Sequence, residues 1–172
     1  MKTPWEEAAR VAEKVLVRLS SWTDVAEVAG SIRRRVPEVK DIEIVAIPST
    51  VRHGLFGEDT SSVAEIQETA RRWGRVTKCG GKYIQVEDVL GSGITLDLFL
   101  VTPPAEWGTI FAIRTGPAEY SHLAVSRIKG RLWRCEGGRI TDRGGNHFPT
   151  PTEEKFFEAA QLPYLPPEER GL

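Results

Sequence analysis

Two acidic residues, Asp41 and Glu43, stand one position apart in an otherwise apolar stretch. Alternate residues of a β-strand point to the same face, so the two carboxylates share one face, while Ile42 and Ile44 take the other. Neighbouring carboxylates repel each other unless a positive charge lies between them. The spacing therefore predicts a strand over residues 41–47 whose acidic face binds a positive group.

A third acid, Asp97, interrupts a second apolar stretch, which predicts a strand over residues 94–101. A lone carboxylate in such a strand is costly to bury without a partner. If the two strands are neighbours, Asp41, Glu43 and Asp97 converge, and Mg²⁺ prefers carboxylate ligands together with substrate phosphates. Two such ions activate an attacking hydroxyl and stabilise a leaving pyrophosphate. We therefore predict that the three residues are catalytic and bind metal, with two Mg²⁺ ions as cofactors and Mn²⁺ as a substitute.

A Gly-Ser turn and three arginines precede the first acidic strand. Gly30 allows the backbone to approach a phosphate closely, Ser31 offers a hydroxyl, and the helical turn that follows presents free N–H groups. At least one arginine of residues 33–35 is expected to reach a triphosphate. Taken singly, such turns, arginine runs and paired acids are usually ordinary surface features. Combined with the third acid, they favour metal-dependent phosphoryl chemistry.

Periodicity marks the elements that must position these residues. Helices are predicted at residues 4–19, 61–73, 117–128 and 153–160, and strands at 25–29, 41–47, 82–86 and 94–101. Residues 51–60 are expected to form a polar loop, and the apolar residues 107–113 are expected to pack. The pattern therefore predicts helices and strands in one chain, with a boundary between two lobes near residues 102–106, at the Pro103-Pro104 pair.

The composition narrows the class of protein. The formal net charge of -1 argues against a protein that coats nucleic acid by bulk charge, although a local basic patch is compatible with it. Cys79 and Cys135 lack metal-site spacing, which predicts reduced thiols, a cytoplasmic location and no zinc site. His53, His122 and His147 also lack ligand spacing and are interpreted as surface or loop residues. No signal peptide or membrane-spanning run is found, and we expect a monomer.

The motifs also resemble a known family. The order Gly30-Ser31, Asp41-Ile42-Glu43 and Leu96-Asp97-Leu98 resembles the nucleotidyltransferase signature and, more narrowly, that of the family X DNA polymerases, the relatives of DNA polymerase beta. The further segments KTPWEEAARVAEKVL, WGTIFAIRTGPAEYS and PTEEKFFEAAQLPYLPPEER resemble that family in the same order. The similarity spans nearly the whole chain and is weakest over residues 52–92.

The resemblance implies an α+β fold. A nucleotidyltransferase palm at residues 1–103 would have a mixed β-sheet flanked by helices, and residues 104–172 would form a small α/β thumb lobe. The resemblance assigns metal binding to the three carboxylates, with Asp97 activating the primer 3′-hydroxyl. It assigns nucleotide binding to Gly30, Ser31, Arg34, Lys40, Thr115 and Gly116, and a more distant triphosphate contact to Lys2. The basic thumb residues expected to contact DNA are Arg127, Lys129, Arg131 and Arg134. Trp133 is interpreted as a core residue rather than a base-stacking one.

Several residues depart from the family pattern. Glu43 stands where these polymerases usually have Asp, and Lys40 stands where a Gly is usual. Ile113-Arg114 replaces an aromatic pair that helps to exclude a ribose 2′-hydroxyl, and Pro117 replaces a Ser. The chain begins at the palm, so lyase activity is expected to be missing and DNA grip to be weaker, as in the minimal polymerases of this family encoded by some viruses.

The function implied is that of a minimal template-directed DNA polymerase. It would add dNMP from dNTP to a primer 3′-hydroxyl on primer-template or gapped DNA during repair, in a cytoplasm or, for a viral enzyme, in the host cytoplasm or nucleoid. One alternative is a template-independent nucleotidyltransferase that acts on nucleic-acid ends, a protein or a small molecule. A second is a non-catalytic DNA-binding scaffold, against which the intact set of three carboxylates argues.

Overall fold

The computed structural model of the protein describes residues 2–52 and 59–171. The helices in these residues are α1 (Trp5–Leu19), α2 (Gly30–Arg33), α3 (Val63–Ala70), α4 (Trp107–Thr115), α5 (Ala118–Gly130) and α6 (Glu153–Ala160). The strands are β1 (Thr3–Pro4), β2 (Thr23–Val28), β3 (Glu38–Val39), β4 (Asp41–Pro48), β5 (Thr50–Arg52), β6 (Asp59–Ser61), β7 (Arg75–Cys79), β8 (Tyr83–Glu87), β9 (Thr95–Leu100), β10 (Arg134–Glu136), β11 (Arg139–Thr141) and β12 (His147–Phe148).

The central sheet has five strands in the order β2-β4-β9-β8-β7. Strands β4 and β9 run parallel, whereas the other neighbouring pairs are antiparallel. The predicted α+β class with a mixed sheet flanked by helices is therefore confirmed. Three small antiparallel groups complete the strand pairing of the described residues: β1-β3, β5-β6 and β10-β11-β12.

Strand alternation divides the side chains of the sheet between two faces. One face carries apolar residues of β4 and β9, such as Ile44 and Leu98, which are fully buried against α1 and α3. Helix α1 is amphipathic and presents Val15 and Leu19 to this core. Burial of each such side chain stabilises the fold by about 1.5–3 kcal/mol.

The opposite face of the sheet is covered only in part. Val45 and Phe99 pack there against Phe111 of α4. The covered part lies towards the ends of β4 and β9, so the starting ends of these parallel strands, which carry the acidic residues, stay accessible from this side. A second core is built from α5, α6 and β11 around Ile128 and Phe156.

Most of the predicted helices and strands are confirmed, with the following exceptions. Helices α1, α5 and α6 fall within two residues of prediction, whereas α3 ends at Ala70 because the chain tightens to i→i−3 hydrogen bonds before Gly74. The expected loop over residues 51–60 is wrong at its ends, which pair as β5 and β6. Residues 53–58, including His53, lie outside the described residues. None of the helices described is long and apolar enough to cross a membrane.

Candidate active site

The three predicted carboxylates lie at the starting ends of the two parallel strands. Asp41 and Glu43 are in β4 and Asp97 is in β9, and the strand register places Glu43 directly beside Asp97. Asp41 lies on the same face as Glu43 because the two are two positions apart. All three are partly buried. The neighbouring position of the two strands, on which the sequence prediction depended, is therefore confirmed.

Crowding perturbs the protonation of these carboxylates. Burial and the neighbouring charge of Asp41 raise the pKa of Glu43 to about 7, against the opposing effects of Arg114 and Arg34. Burial and the charge of Asp97 likewise raise the pKa of Asp41. A bound cation would relieve this repulsion, so the electrostatics of this face favour a positive ligand.

The carboxylates are held by different neighbours. The side chain of Glu43 packs against Gly30, whereas Asp97 accepts hydrogen bonds from Tyr83 and Gln85. As the side chains stand, no group of three or more His, Cys, Asp or Glu residues in the described ranges is arranged to hold a metal ion. The donor chemistry nevertheless fits Mg²⁺, since carboxylate oxygens are its preferred protein ligands and their charges are unbalanced here.

The Gly-Ser turn begins helix α2 beside Glu43. Gly30 has φ +58°, a conformation that favours glycine, and a Cβ on it would collide with the carboxylate of Glu43. Any other residue at this position would therefore displace Glu43. The Oγ of Ser31 is buried and has no hydrogen-bond partner in the part of the chain that the structure describes. A buried hydroxyl of this kind requires a partner, and a phosphate oxygen would provide one.

The three arginines after the turn have different partners. Arg33 donates to Thr115 Oγ1 at 2.6 Å and to both carboxylate oxygens of Glu153 at 2.9 and 2.7 Å. Arg35 is exposed on the surface. Arg34 donates to the carbonyl oxygen of Thr115 at 2.6 Å and lines a cavity together with Glu43. Of the three, Arg34 is therefore the residue placed to meet a ligand next to the carboxylates.

That first cavity has a volume of about 560 Å³. Besides Arg34 and Glu43, it is lined by Gly116 at the end of α4 and by His122 and Lys129 of α5. Its size is within the range of small-molecule sites. Four basic or imidazole side chains, those named and Arg114, meet a carboxylate in it, which suits an anionic ligand bound through a cation.

A second cavity, of about 590 Å³, lies beside the first. It is lined by Lys82, Tyr83 and Asp97, and it shares Glu43 and Arg114 with the first cavity. The guanidinium of Arg114 stacks on the ring of Phe99, 3.9 Å from its centroid. The two cavities therefore meet at Glu43 and Arg114, whereas Asp97 lines only the second cavity and Asp41 lines neither.

The other residues assigned to nucleotide binding are placed less directly. Lys40 is exposed, and its charge acts on neighbouring Asp41 by lowering its pKa against the larger opposing effect of burial. The side chain of Thr115 is fully buried and accepts from Arg33, whereas Gly116 reaches the cavity wall. Lys2 forms an exposed ion pair with Glu38.

The basic residues assigned to DNA contact divide into two kinds. Arg127 and Arg134 are exposed, and Lys129 lines the first cavity. Arg131, by contrast, donates to the carbonyl oxygen of Ala159 at 2.6 Å and stacks on Trp133 at 3.8 Å. Trp133 also packs against the second core, so its interpretation as a packing residue is confirmed.

Several site residues were missed by sequence reasoning. Tyr83 and Gln85 contact Asp97, and their alternation on a strand was the only signal available for them. His122 is exposed, as predicted, yet it lines the first cavity. His147 instead forms a hydrogen bond with Glu106 at 2.9 Å and lines neither of the two cavities.

Comparison with known proteins adds no assignment. No model of a known protein family matches the chain, and no curated protein matches it.

The raised pKa of Glu43 leads to a prediction for stability. A carboxyl whose folded-state pKa exceeds its unfolded value of 4.5 destabilises the fold as it ionises, so metal-free protein should lose about 2–3 kcal/mol of unfolding free energy between about pH 5 and pH 8. In Glu43→Gln this loss should largely vanish, with a residual slope from Asp41. Urea unfolding in EDTA at several pH values measures both profiles.

The matched control is Glu27→Gln, the same change at an exposed position of the neighbouring strand β2. It should leave the pH profile of the wild type unaltered. If wild type and Glu43→Gln showed the same dependence of unfolding free energy on pH, ionisation of Glu43 would not destabilise the fold, and the prediction would be contradicted.

Proposed function

We propose that the protein is a nucleotidyltransferase of the DNA polymerase type, which adds dNMP from dNTP to the 3′-hydroxyl of a DNA primer. The observation that carries the proposal is the parallel pairing of β4 with β9, which sets Glu43 beside Asp97 at the meeting point of two cavities. A transferase needs a donor site and an acceptor site that share its catalytic groups, and two cavities that share Glu43 and Arg114 support this proposal.

The first cavity takes the donor nucleotide in this proposal. Arg34 lines this cavity and would bind the phosphates of the nucleotide. Ser31 does not line it, but its buried Oγ has no partner among the described residues and lies three positions before Arg34, so it would donate to a phosphate oxygen that reaches the turn. Lys40 adds positive charge nearby, and Gly116 forms part of the wall without a side chain. Positioning and charge stabilisation of this kind account for most of the rate enhancement in phosphoryl transfer.

The second cavity takes the acceptor end. The bond formed joins the acceptor oxygen to the α-phosphorus. The bond broken is the one from the α-phosphorus to the oxygen that bridges to the β-phosphorus, and pyrophosphate leaves with that oxygen. Asp97 lines this cavity and takes the proton of the attacking hydroxyl. Asp41, Glu43 and Asp97 are the residues that would hold Mg²⁺, which when bound supplies charge neutralisation and a more acidic hydroxyl.

Few residues would bind the DNA duplex. Arg127, Lys129 and Arg134 are available for phosphate contacts, whereas Arg131 is engaged within the protein. Because each neutralised phosphate releases a counterion, affinity should fall as salt rises. A template-independent transferase is the second candidate. It is favoured by Glu43, by the near-neutral net charge and by Ile113-Arg114 in place of the aromatic pair, with Arg114 in the common wall of both cavities.

The test is extension of a labelled primer across a one-nucleotide gap. Each dNTP and rNTP is supplied singly with Mg²⁺ or Mn²⁺, and we expect addition of the complementary dNTP alone. Addition regardless of the template base would favour the template-independent transferase. DNA binding without addition under any condition would contradict the polymerase proposal and leave a transferase with another acceptor or a scaffold. The rNTP reactions measure whether Ile113-Arg114 excludes a ribose.

A further inference from the structure

Two side chains of β8 converge on a single oxygen of Asp97. Tyr83 Oη donates to Asp97 Oδ1 at 2.6 Å, and Gln85 Nε2 donates to the same oxygen at 2.9 Å. The antiparallel register produces this arrangement, because Gln85 pairs directly with Asp97 and Tyr83 pairs with Phe99 on the same face. Each carboxylate oxygen offers about two acceptor positions, so both positions of Oδ1 are filled. Within the described residues, Oδ2 accepts no hydrogen bond.

Both donors are themselves fixed by packing. The ring of Tyr83 stacks on Phe99 with centroids 5.1 Å apart, and Lys78 lies over it at 5.3 Å. Thr77 Oγ1 donates to Gln85 Oε1 at 2.9 Å, which turns the amide so that Nε2 faces Asp97. The carboxylate is therefore held by two donors whose own orientations are set by other contacts.

We propose that Tyr83 and Gln85 are positioning residues, which saturate Oδ1 of Asp97 and leave Oδ2 as the one oxygen that meets a divalent cation or the acceptor hydroxyl. The inference rests on the proposed function, in which Asp97 acts at the acceptor. As a consequence, the carboxylate of Asp97 meets the cation or the acceptor hydroxyl in a single orientation. Partners of a ligating carboxylate typically change metal affinity or activity by about 10–100-fold when they are removed.

The test compares Tyr83→Phe, which keeps the ring stacked on Phe99, with wild type. Single-turnover kinetics should give an addition rate constant about 10-fold lower, with the dissociation constant of the dNTP within about twofold. A purely structural role would move both constants or neither. Gln85→Met should act in the same direction. Tyr164→Phe is the matched control, since it makes the same change in a ring far along the chain, and it should alter neither constant.

A second measurement is independent of catalysis. Mn²⁺ binding without nucleotide, followed by the electron paramagnetic resonance signal of the free ion, should weaken in Tyr83→Phe and more so in Asp97→Asn, but not in Tyr164→Phe. A faster addition rate in Tyr83→Phe would overturn the inference, since the hydroxyl would then be competing with the ion.

The two measurements separate this inference from the proposed function. If the wild type adds no nucleotide to any acceptor, the polymerase proposal fails and the Mn²⁺ titration alone decides. Weaker Mn²⁺ binding in Tyr83→Phe would then still support the positioning role. Equal Mn²⁺ binding by wild type and Tyr83→Phe, or no binding by the wild type, would overturn it.

Discussion

Asp97→Asn should lower the rate of nucleotide addition by about 10²–10⁴-fold, the usual contribution of a positioned proton acceptor. The amide has neither the charge nor the basicity of the carboxylate that lines the acceptor cavity. Folding should be retained, because the amide oxygen can still accept the hydrogen bonds of Tyr83 and Gln85. Loss of the charge also removes repulsion from Asp41 and Glu43. Single-turnover kinetics and a thermal melt in EDTA measure the two effects.

Asp24→Asn is the matched control for this change. Asp24 is exposed on β2, so the variant makes the same substitution on the same sheet away from the carboxylates. It should keep the addition rate of the wild type within about twofold. An Asp97→Asn variant that is folded and retains the wild-type rate would remove Asp97 from the site.

Local patterns were enough to predict the carboxylate face. The alternation that sets Asp41 beside Glu43 follows from backbone geometry alone, and the apolar residues before and after Asp97 predicted a strand interrupted by one carboxylate. Neither inference requires knowledge of distant residues. The parallel register that brings Glu43 to Asp97 is set instead by the pairing of β4 with β9, which the sequence prediction had to assume.

Contacts between distant residues could not be predicted from the pattern. The sequence presents three equivalent arginines, yet Arg33 is committed to Thr115 and Glu153, which lie 82 and 120 positions away. Only Arg34 remains at the cavity. The donors to Asp97 were missed for the same reason, since their register depends on the hairpin after β8, where Asp88 adopts a positive φ of 53°. No rule of alternation or spacing specifies such a turn.

The pairing of Arg33 with Glu153 contributes to the stability of the C-terminal part of the chain. Its partner Glu153 also accepts from Arg170, at 2.7 Å, and the side chain of Arg170 is 0% exposed. Burial alone would raise the pKa of Glu153, but the hydrogen bonds from Arg33 and Arg170 outweigh it and lower that pKa. One carboxylate thus pairs with two arginines and joins helix α2, which carries the Gly-Ser turn, to α6 and the C-terminal segment.

Glu153→Gln should therefore lower the free energy of unfolding by about 3–5 kcal/mol, because it leaves a fully buried guanidinium without a counter-charge. Chemical denaturation measures the loss, and Glu154→Gln, the exposed neighbour on the same helix, should change the free energy of unfolding by less than about 0.5 kcal/mol.

The folded fraction of Glu153→Gln should also bind nucleotide more weakly, since a released Arg33 no longer fixes the turn that precedes Arg34. A loss below about 1 kcal/mol would mean that water or another acceptor replaces the charge, and the turn would then be held by its own backbone.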